Sequence, residues 1–313
     1  MINNLKRKII KAGGFVNSHA HFDRAYTSNI FSDEEKKLHL HTKWKLNDKY
    51  KKSASLNCYK KNIKQAIESQ IEFGVTSACT FVDLDTVSME GPLVAANHLR
   101  IEYENKFNLK IACQTIKGVT DWQQRRIIEM WMDNLDIIGS LPAADNNLEK
   151  HLDYVMGWSK DTGKRLHVHV DQLNSPEEKE TELLARKTIE WGIEGQVTAI
   201  HSLSLACHSK SYREEIYKLS KDAGLSFISC PSAWIDHPRR EDLVPSHNAI
   251  TPVEEMLKHD LVVAIGSDNI HDIYKPYSDG DMMFELRLLL EACKIYDEST
   301  LIDIATKNGK KVI

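Results

Sequence analysis

No apolar run in this sequence approaches the roughly 20 residues that a membrane-spanning helix requires. The basic opening Lys6-Arg7-Lys8 is followed only by Ile9-Ile10 before Lys11, so it has no signal-peptide core. Cysteine is sparse. Cys58, Cys79, Cys113, Cys207, Cys230 and Cys293 are scattered without a Cys-x-x-Cys pair, which excludes a disulfide framework and points to reduced, cytosolic usage. Cys79, Cys113 and Cys230 lie in apolar runs, where a free thiol acts as a small hydrophobe. Basic charge is not in excess either: the formal net charge is -4, so a nucleic-acid footprint is missing. The basic stretch Lys43 to Lys61, interleaved with Trp44, Leu46, Tyr50 and Tyr59, reads as a solvated helix face with an exposed loop. No glycine-rich phosphate loop follows a strand pattern, and there are no repeats, low-complexity tracts or Pro/Ser linkers. These absences predict one cytoplasmic domain over residues 1–313, with neither nucleic acid nor membrane as a partner.

What is present is ordinary globular composition, 42% hydrophobic and 27% charged. Short β-branched runs alternate with longer amphipathic ones. The pattern predicts strands near Phe15–His19, Val75–Val82, Leu109–Gln114, Leu135–Leu141, Arg165–Val170, Val197–Ser202, Ser226–Pro231 and Leu261–Asp268. Helices are expected between them, with further ones near Asp281–Ile295 and Ser299–Lys307. Gly74, Gly163, Gly192 and Gly224 sit just before strands, where a helix C-terminus favours a left-handed residue. Ser175-Pro176-Glu177-Glu178 and Thr251-Pro252-Val253-Glu254 read as helix starts. Eight strands alternating with helices predict an α/β protein, a (β/α)8 TIM barrel in preference to an open doubly wound sheet.

His19-Ala20-His21 closes the first strand pattern. Alternate residues of a strand point the same way, so two imidazoles at i and i+2 can bind one ion from one side. In a barrel the chemistry gathers at the C-terminal strand ends. Those ends carry Gln114, then Leu166-His167-Val168-His169-Val170-Asp171-Gln172, then His201-Ser202, then Gly266-Ser267-Asp268-Asn269. Four of the eight ends present histidine or aspartate, a concentration that chance placement of 14 histidines rarely achieves.

With these residues in order, the chain resembles the amidohydrolase superfamily, most closely its cytosine deaminase-like branch. The likeness runs from Val16 to the C-terminal helix. It implies one divalent metal ion, zinc or iron, held by His19, His21, His169 and Asp268. His201 and Asp268 are the implied catalytic pair, Gln114 the implied substrate-binding glutamine. A metal-activated water would then hydrolyse a C–N bond of a small, cyclic nitrogen compound. Binuclear relatives place a bridging lysine or glutamate at the fourth strand's end; Ile137-Ile138-Gly139-Ser140-Leu141-Pro142 has neither, which favours one metal. Most members also carry a flanking β-sandwich. His19 comes too early for one, so it is expected to be largely absent. The likeness further implies a small-molecule substrate and allows homo-oligomers.

One departure separates this chain from the deaminases. Their glutamate three residues after the fifth-strand histidine, which shuttles a proton to the ring, is here Gln172, and an amide is no general acid near neutral pH. Asp171, His201, Asp23 and Asp272 are alternative proton carriers. A deaminase of a pyrimidine or triazine-like ring is the second reading, and a catalytically silent metal-bound binding protein the third. Around the site, Gln172, Asn269 and His271 are candidate substrate contacts. Arg24 reads equally as a clamp on substrate or as a salt bridge with an acid such as Asp23. Trp234 reads as an aromatic lid or as loop packing. His167 reads as a core residue. His39, His41, His151, His208, His237, His247 and His259 read as surface residues.

Overall fold

The computed structural model of the chain describes residues 2–235 and 249–313. Its eight strands are β1 (Phe15–Ala20), β2 (Val75–Asp83), β3 (Asn108–Gln114), β4 (Ile138–Ser140), β5 (Leu166–Val170), β6 (Val197–His201), β7 (Ser226–Ser229) and β8 (Val262–Ile265). All pair in parallel, in a sheet of order β1-β2-β3 and a sheet of order β4-β5-β6-β7-β8. Single parallel bridges tie the two sheets: Ala112 to Ile137 beside β3, and Ala20 to Asp268 beside β1. The expected α/β alternation is therefore present, while the ladders themselves run as three strands and five rather than one continuous sheet. Among the described residues, every strand belongs to these two sheets, and no helix is long and apolar enough to cross a membrane.

Strand residues alternate between two buried environments, because successive side chains face opposite ways. Cys79 and Phe81 of β2 pack inward with Ala112, Ile200, Ile228 and Ala264. Ala78 and Val82 of the same strand pack outward beneath the helices. The helix Leu56–Phe73 shows how that outer layer forms. Tyr59, Ile63, Ala66, Ile67 and Gln70 fall on one buried face. Ser55 caps its start, and Gly74 at φ +87° ends it in the left-handed region. Helix Lys307–Val312 packs at the N-terminal end of the strands, where His167 Nε2 meets the Val312 carbonyl at 2.8 Å. His167 is thus a core residue.

Several local expectations need correction. The fourth strand is only Ile138–Ser140, not Leu135–Leu141. The run Ser175-Pro176 does not start a helix. The next helix begins at Glu180, because the Glu178 and Glu180 carboxylates turn back to accept from the Leu173 and Asp171 N–H groups. Thr251 caps nothing: its hydroxyl donates to the His201 carbonyl, and helix Val253–Lys258 follows Pro252. His151 is fully buried, not a surface residue. Lys43 and Lys51 are buried too, whereas Lys45, Lys49, Lys52 and Lys61 of that stretch are exposed, so the solvated face holds only in part. Trp122 is exposed, whereas Trp131, Trp158 and Trp191 pack against the core from outside. His39 and His41 are exposed and His208 and His259 half-buried, while His237 and His247 lie outside the described residues.

Gly139 marks the tightest approach between β3 and β4. A Cβ there would stand 1.8 Å from the Cys113 carbonyl oxygen and 2.5 Å from the Phe81 ring. Gly139→Ala is therefore expected to destabilise the protein by about 3 kcal/mol or more through overpacking. A lowered urea midpoint checks this; an unchanged midpoint shows that the strands can part freely.

Candidate metal centre

β1 and the residues after β8 are drawn together by a side-chain staple. Asn17 Oδ1 accepts from Ser267 N at 3.0 Å, and its Nδ2 donates to Ser267 Oγ and to Gln70 Oε1, each at 2.8 Å. Gly266 permits the closeness, since a Cβ there would lie 2.8 Å from both the Cβ and the carbonyl oxygen of His19. Asp268 N then donates to the His19 carbonyl at 2.9 Å, and His21 N to the Asp268 carbonyl at 3.3 Å. Asp268 Oδ1 ends 3.4 Å from His19 Nε2 and 3.3 Å from His21 Nε2.

The other two strand ends bring His169 and His201 to the same place. Ring centroids lie 4.8 Å apart for His19 and His169, and 5.5 Å apart for His169 and His201. Ligand atoms of His19, His21 and His169 fall within 4.8 Å of one another, as do those of His19, His201 and Asp268. His201 (φ +73°) and Asp268 (φ +59°) both hold left-handed backbone conformations. Such non-glycine strain is uncommon and collects at functional sites.

Electrostatics prepare this cluster for a cation. Burial pushes the His19, His21 and His169 imidazoles below their ordinary value, so each is neutral with a lone pair to offer. Burial alone would raise Asp268, but the Lys275 ammonium and then the close polar contacts of the His19 and His21 imidazoles outweigh it, holding the carboxyl well below its usual range. Both ring nitrogens of His19, Nδ1 of His21 and Nε2 of His169 are buried without a hydrogen-bond partner. Each such group costs about 1–3 kcal/mol if nothing satisfies it. A divalent cation between three imidazole nitrogens and one carboxylate oxygen fits this donor set.

The cleft beside the cluster has polar walls of Arg24, Gln114, Gln172 and Asn269. Trp234 and His271 do not reach it. Trp234 is buried and donates to Thr251 Oγ1 at 3.0 Å, which in turn holds the His201 carbonyl, so it is loop packing. The His271 ring faces Tyr26. Arg24 is bound, though not to Asp23. Its Nη1 donates to Asp83 at 2.8 Å, and its Nε lies 3.7 Å from Asp272. Three proposed proton carriers do not line the cleft. Asp171 accepts from Glu180 N and Thr181 N, Asp272 from Tyr274 N, Lys275 N and Asn269, and Asp23 from Asp83 N. His201 does line it.

Sequence reasoning missed the cover. Between β1 and helix Leu56–Phe73, three short helices, Asp33–Lys36, Leu40–Leu46 and Asp48–Ser53, bring Leu40 and Trp44 to the cleft. Trp44 packs with Phe31, Ile273 and Tyr274 in a small apolar cluster separate from the core. Asn47 donates to the Tyr274 hydroxyl at 2.6 Å. Lys51 anchors the base, 2.5 Å from Asp85, 3.3 Å from Asp83 and 3.3 Å from Asp48. Asp83 and Asp85 stand at i and i+2 at a strand end, the same spacing that flags His19 and His21, so this signal was available. Lys275 was also missed; its Nζ lies 2.8 Å from Ser232 Oγ and 3.4 Å from Asp268 Oδ2.

The amidohydrolase family model matches residues 38–307. An uncharacterized protein of Haemophilus influenzae is 42% identical over 263 residues, which are 81% of this chain and 94% of that protein. The N-isopropylammelide isopropyl amidohydrolase of a Pseudomonas species is 26% identical over 277 residues, 86% of this chain and 66% of that enzyme's length. The fold superposes on the 5-methylcytosine deaminase of Klebsiella pneumoniae liganded with 5-fluorocytosine, with a TM-score of 0.86 at 23% identity, covering 96% of this chain and 74% of that one. The chain belongs to the amidohydrolase family, hydrolases of carbon–nitrogen bonds. Its fold is the one that the 5-methylcytosine deaminase shares.

Lys51 tests how the cover is held. Lys51→Met leaves Asp83 and Asp85 buried without their ammonium and is expected to cost about 3–5 kcal/mol. Urea denaturation measures the loss, and limited proteolysis should cut first within residues 33–53. A variant as stable and as resistant as the parent refutes the anchoring role.

Proposed function

We propose that this protein is a mononuclear metal-dependent amidohydrolase that cleaves a C–N bond of a small, cyclic nitrogen compound. The observation that carries this reading is the buried set of three imidazoles and one carboxylate, with ring nitrogens that no protein group satisfies. We read the two single bridges as closing a (β/α)8 barrel in one domain, which sets these groups at its C-terminal mouth. His19, His21, His169 and Asp268 hold one zinc or iron ion. When bound, such an ion acts as a Lewis acid and lowers the pKa of water from 15.7 to about 7.

The chain's own residues then divide the remaining work. Asp268 accepts a proton at its carboxylate, and His201, on the same cleft, donates a hydrogen bond to the developing charge or a proton to the leaving nitrogen. Gln114, Gln172 and Asn269 offer paired amide donors and acceptors, which suit the N–C=O edge of a neutral planar ring. Arg24 brings little net charge, since Asp83 and Asp272 neutralise it. Trp44 and Tyr274 supply aromatic walls. Among the described residues, Asp268 is the one carboxylate lining the cleft. The leaving-group proton therefore comes from Asp268 or His201, and the reading favours substrates that need no separate ring protonation. The relative named as an N-isopropylammelide isopropyl amidohydrolase supports a substrate of this kind.

Purified protein should contain about one equivalent of zinc or iron, and chelation should abolish turnover of a ring-amide and ring-amine panel. Asp268→Asn is expected to lower kcat by about 10²–10⁴-fold. Metal-free protein, or a His169→Ala variant with full turnover, overturns the proposal. Ammonia release that rises in Gln172→Glu marks diverted deaminase chemistry, whereas unchanged release shows that Gln172 does not limit ring protonation. Trp44→Ala should raise KM by the equivalent of about 1–3 kcal/mol of lost stacking while kcat holds; an unchanged KM removes Trp44 from the binding surface.

A further inference from the structure

Outside the cleft, Asp145, His151 and Ser140 form a hydrogen-bonded chain whose last two members are fully buried. Asp145 Oδ2 lies 2.7 Å from His151 Nδ1, and His151 Nε2 lies 2.9 Å from Ser140 Oγ. Acid, imidazole and hydroxyl stand in the order of a nucleophilic triad. Ser140 and His151 are 0% exposed, however, so no substrate reaches the hydroxyl. The chain must act through something else.

Its direction follows from its acid end. Burial pushes the Asp145 carboxyl up, but hydrogen bonds from His151, Thr120 and Val119 N hold it at about 2, so it is ionised and accepts. His151 Nδ1 then carries the proton and donates it to Asp145. His151 Nε2 is left as an acceptor, and the Ser140 hydroxyl donates to it. Ser140 also faces the centre with its backbone. Its carbonyl accepts from His169 Nδ1 at 2.9 Å, which leaves His169 Nε2, an atom with no hydrogen-bond partner, as the nitrogen offered to the cluster.

The carbonyl lies at the end of β4, which is three residues long, ladders with β5 as far as Ser140 and Val168, and meets the β3 side through one bridge, at Ile137. Leu141 N, donating to Thr115 Oγ1 at 2.7 Å, and Cys113 Sγ, donating to the Gly139 carbonyl at 3.3 Å, are further ties to the β3 side. Asp145 adds the loop after β3, accepting from Val119 N at 2.7 Å and from the Thr120 hydroxyl.

We propose that Asp145, His151 and Ser140 are positioning residues for His169: they hold the Ser140 carbonyl where it selects the His169 tautomer and aims Nε2 at the ligand cluster. This rests on the reading of His169 as a metal ligand. Groups that orient a ligating histidine typically matter about 10–100-fold in metal affinity.

The test is zinc affinity of the apoprotein, measured against a chromophoric chelator well below the thermal midpoint, with the visible spectrum of the cobalt form alongside. Ser140→Ala removes the hydroxyl and keeps the carbonyl. It is expected to weaken zinc binding about 10–100-fold and to alter the cobalt bands. Asp145→Asn, of the same shape, should shift both readouts the same way by less, and serves if Ser140→Ala does not fold. A lowered thermal midpoint with zinc affinity within twofold of the parent and unchanged cobalt bands overturns the proposal, because that is what a merely structural chain gives. His169→Ala separates the two readings. If it binds zinc like the parent, the ligand assignment fails. If it loses zinc while Ser140→Ala does not, the relay alone fails.

Discussion

The seam between β1 and the end of β8 is the constraint on which the rest of the site depends. Asn17 clamps Ser267 from both its amide atoms, and Gly266 lets the His19 backbone come into direct contact. Only then do His19, His21 and Asp268, remote in sequence, share a few ångströms. A side chain at position 266 would push the strands apart and scatter the donors. The left-handed φ of Asp268 belongs to the same seam, since the residue turns inward at once while its N–H still pairs with His19.

Burial then converts proximity into chemistry. Imidazoles taken out of water lose their protons, and a carboxylate beside Lys275 keeps its negative charge. Neutral nitrogen donors and one anionic oxygen result without any group having to titrate near neutrality. Around them, charge is buried in compensated form. Arg24 with Asp83 and Asp272, and Lys51 with Asp83 and Asp85, leave the cleft lined by amides rather than by net charge. Such pairs add little net stability but are costly to break, which suits a role in holding strand ends and the helical cover in one arrangement.

How much was legible in the sequence differs by residue type. His19, His21, His169 and Asp268 could be read because a strand's two-residue period and its exit point are local properties. Gln172 was equally legible as a departure from the deaminase pattern. Trp234 and Trp44 were not: nothing local says that one packs under Thr251 while the other reaches over the cleft. His151 looked like any helix-surface histidine, since its partners Asp145 and Ser140 matter only once β4 and its following helix are docked.

The sequence by itself determined the alternation of strands and helices and the residue types at each strand's end, because periodicity and turn preferences act over a few neighbouring residues. Only the tertiary structure decided which polar groups share the cleft. Asp171, Asp272 and Asp23 have the same chemistry as Asp268, yet none lines the cleft: Asp171 and Asp272 each accept from two backbone N–H groups, and Asp23 accepts from Asp83 N. Whether a carboxylate faces a ligand or ties a loop depends on where its partners lie in space, and those partners are set by packing between segments far apart in the chain.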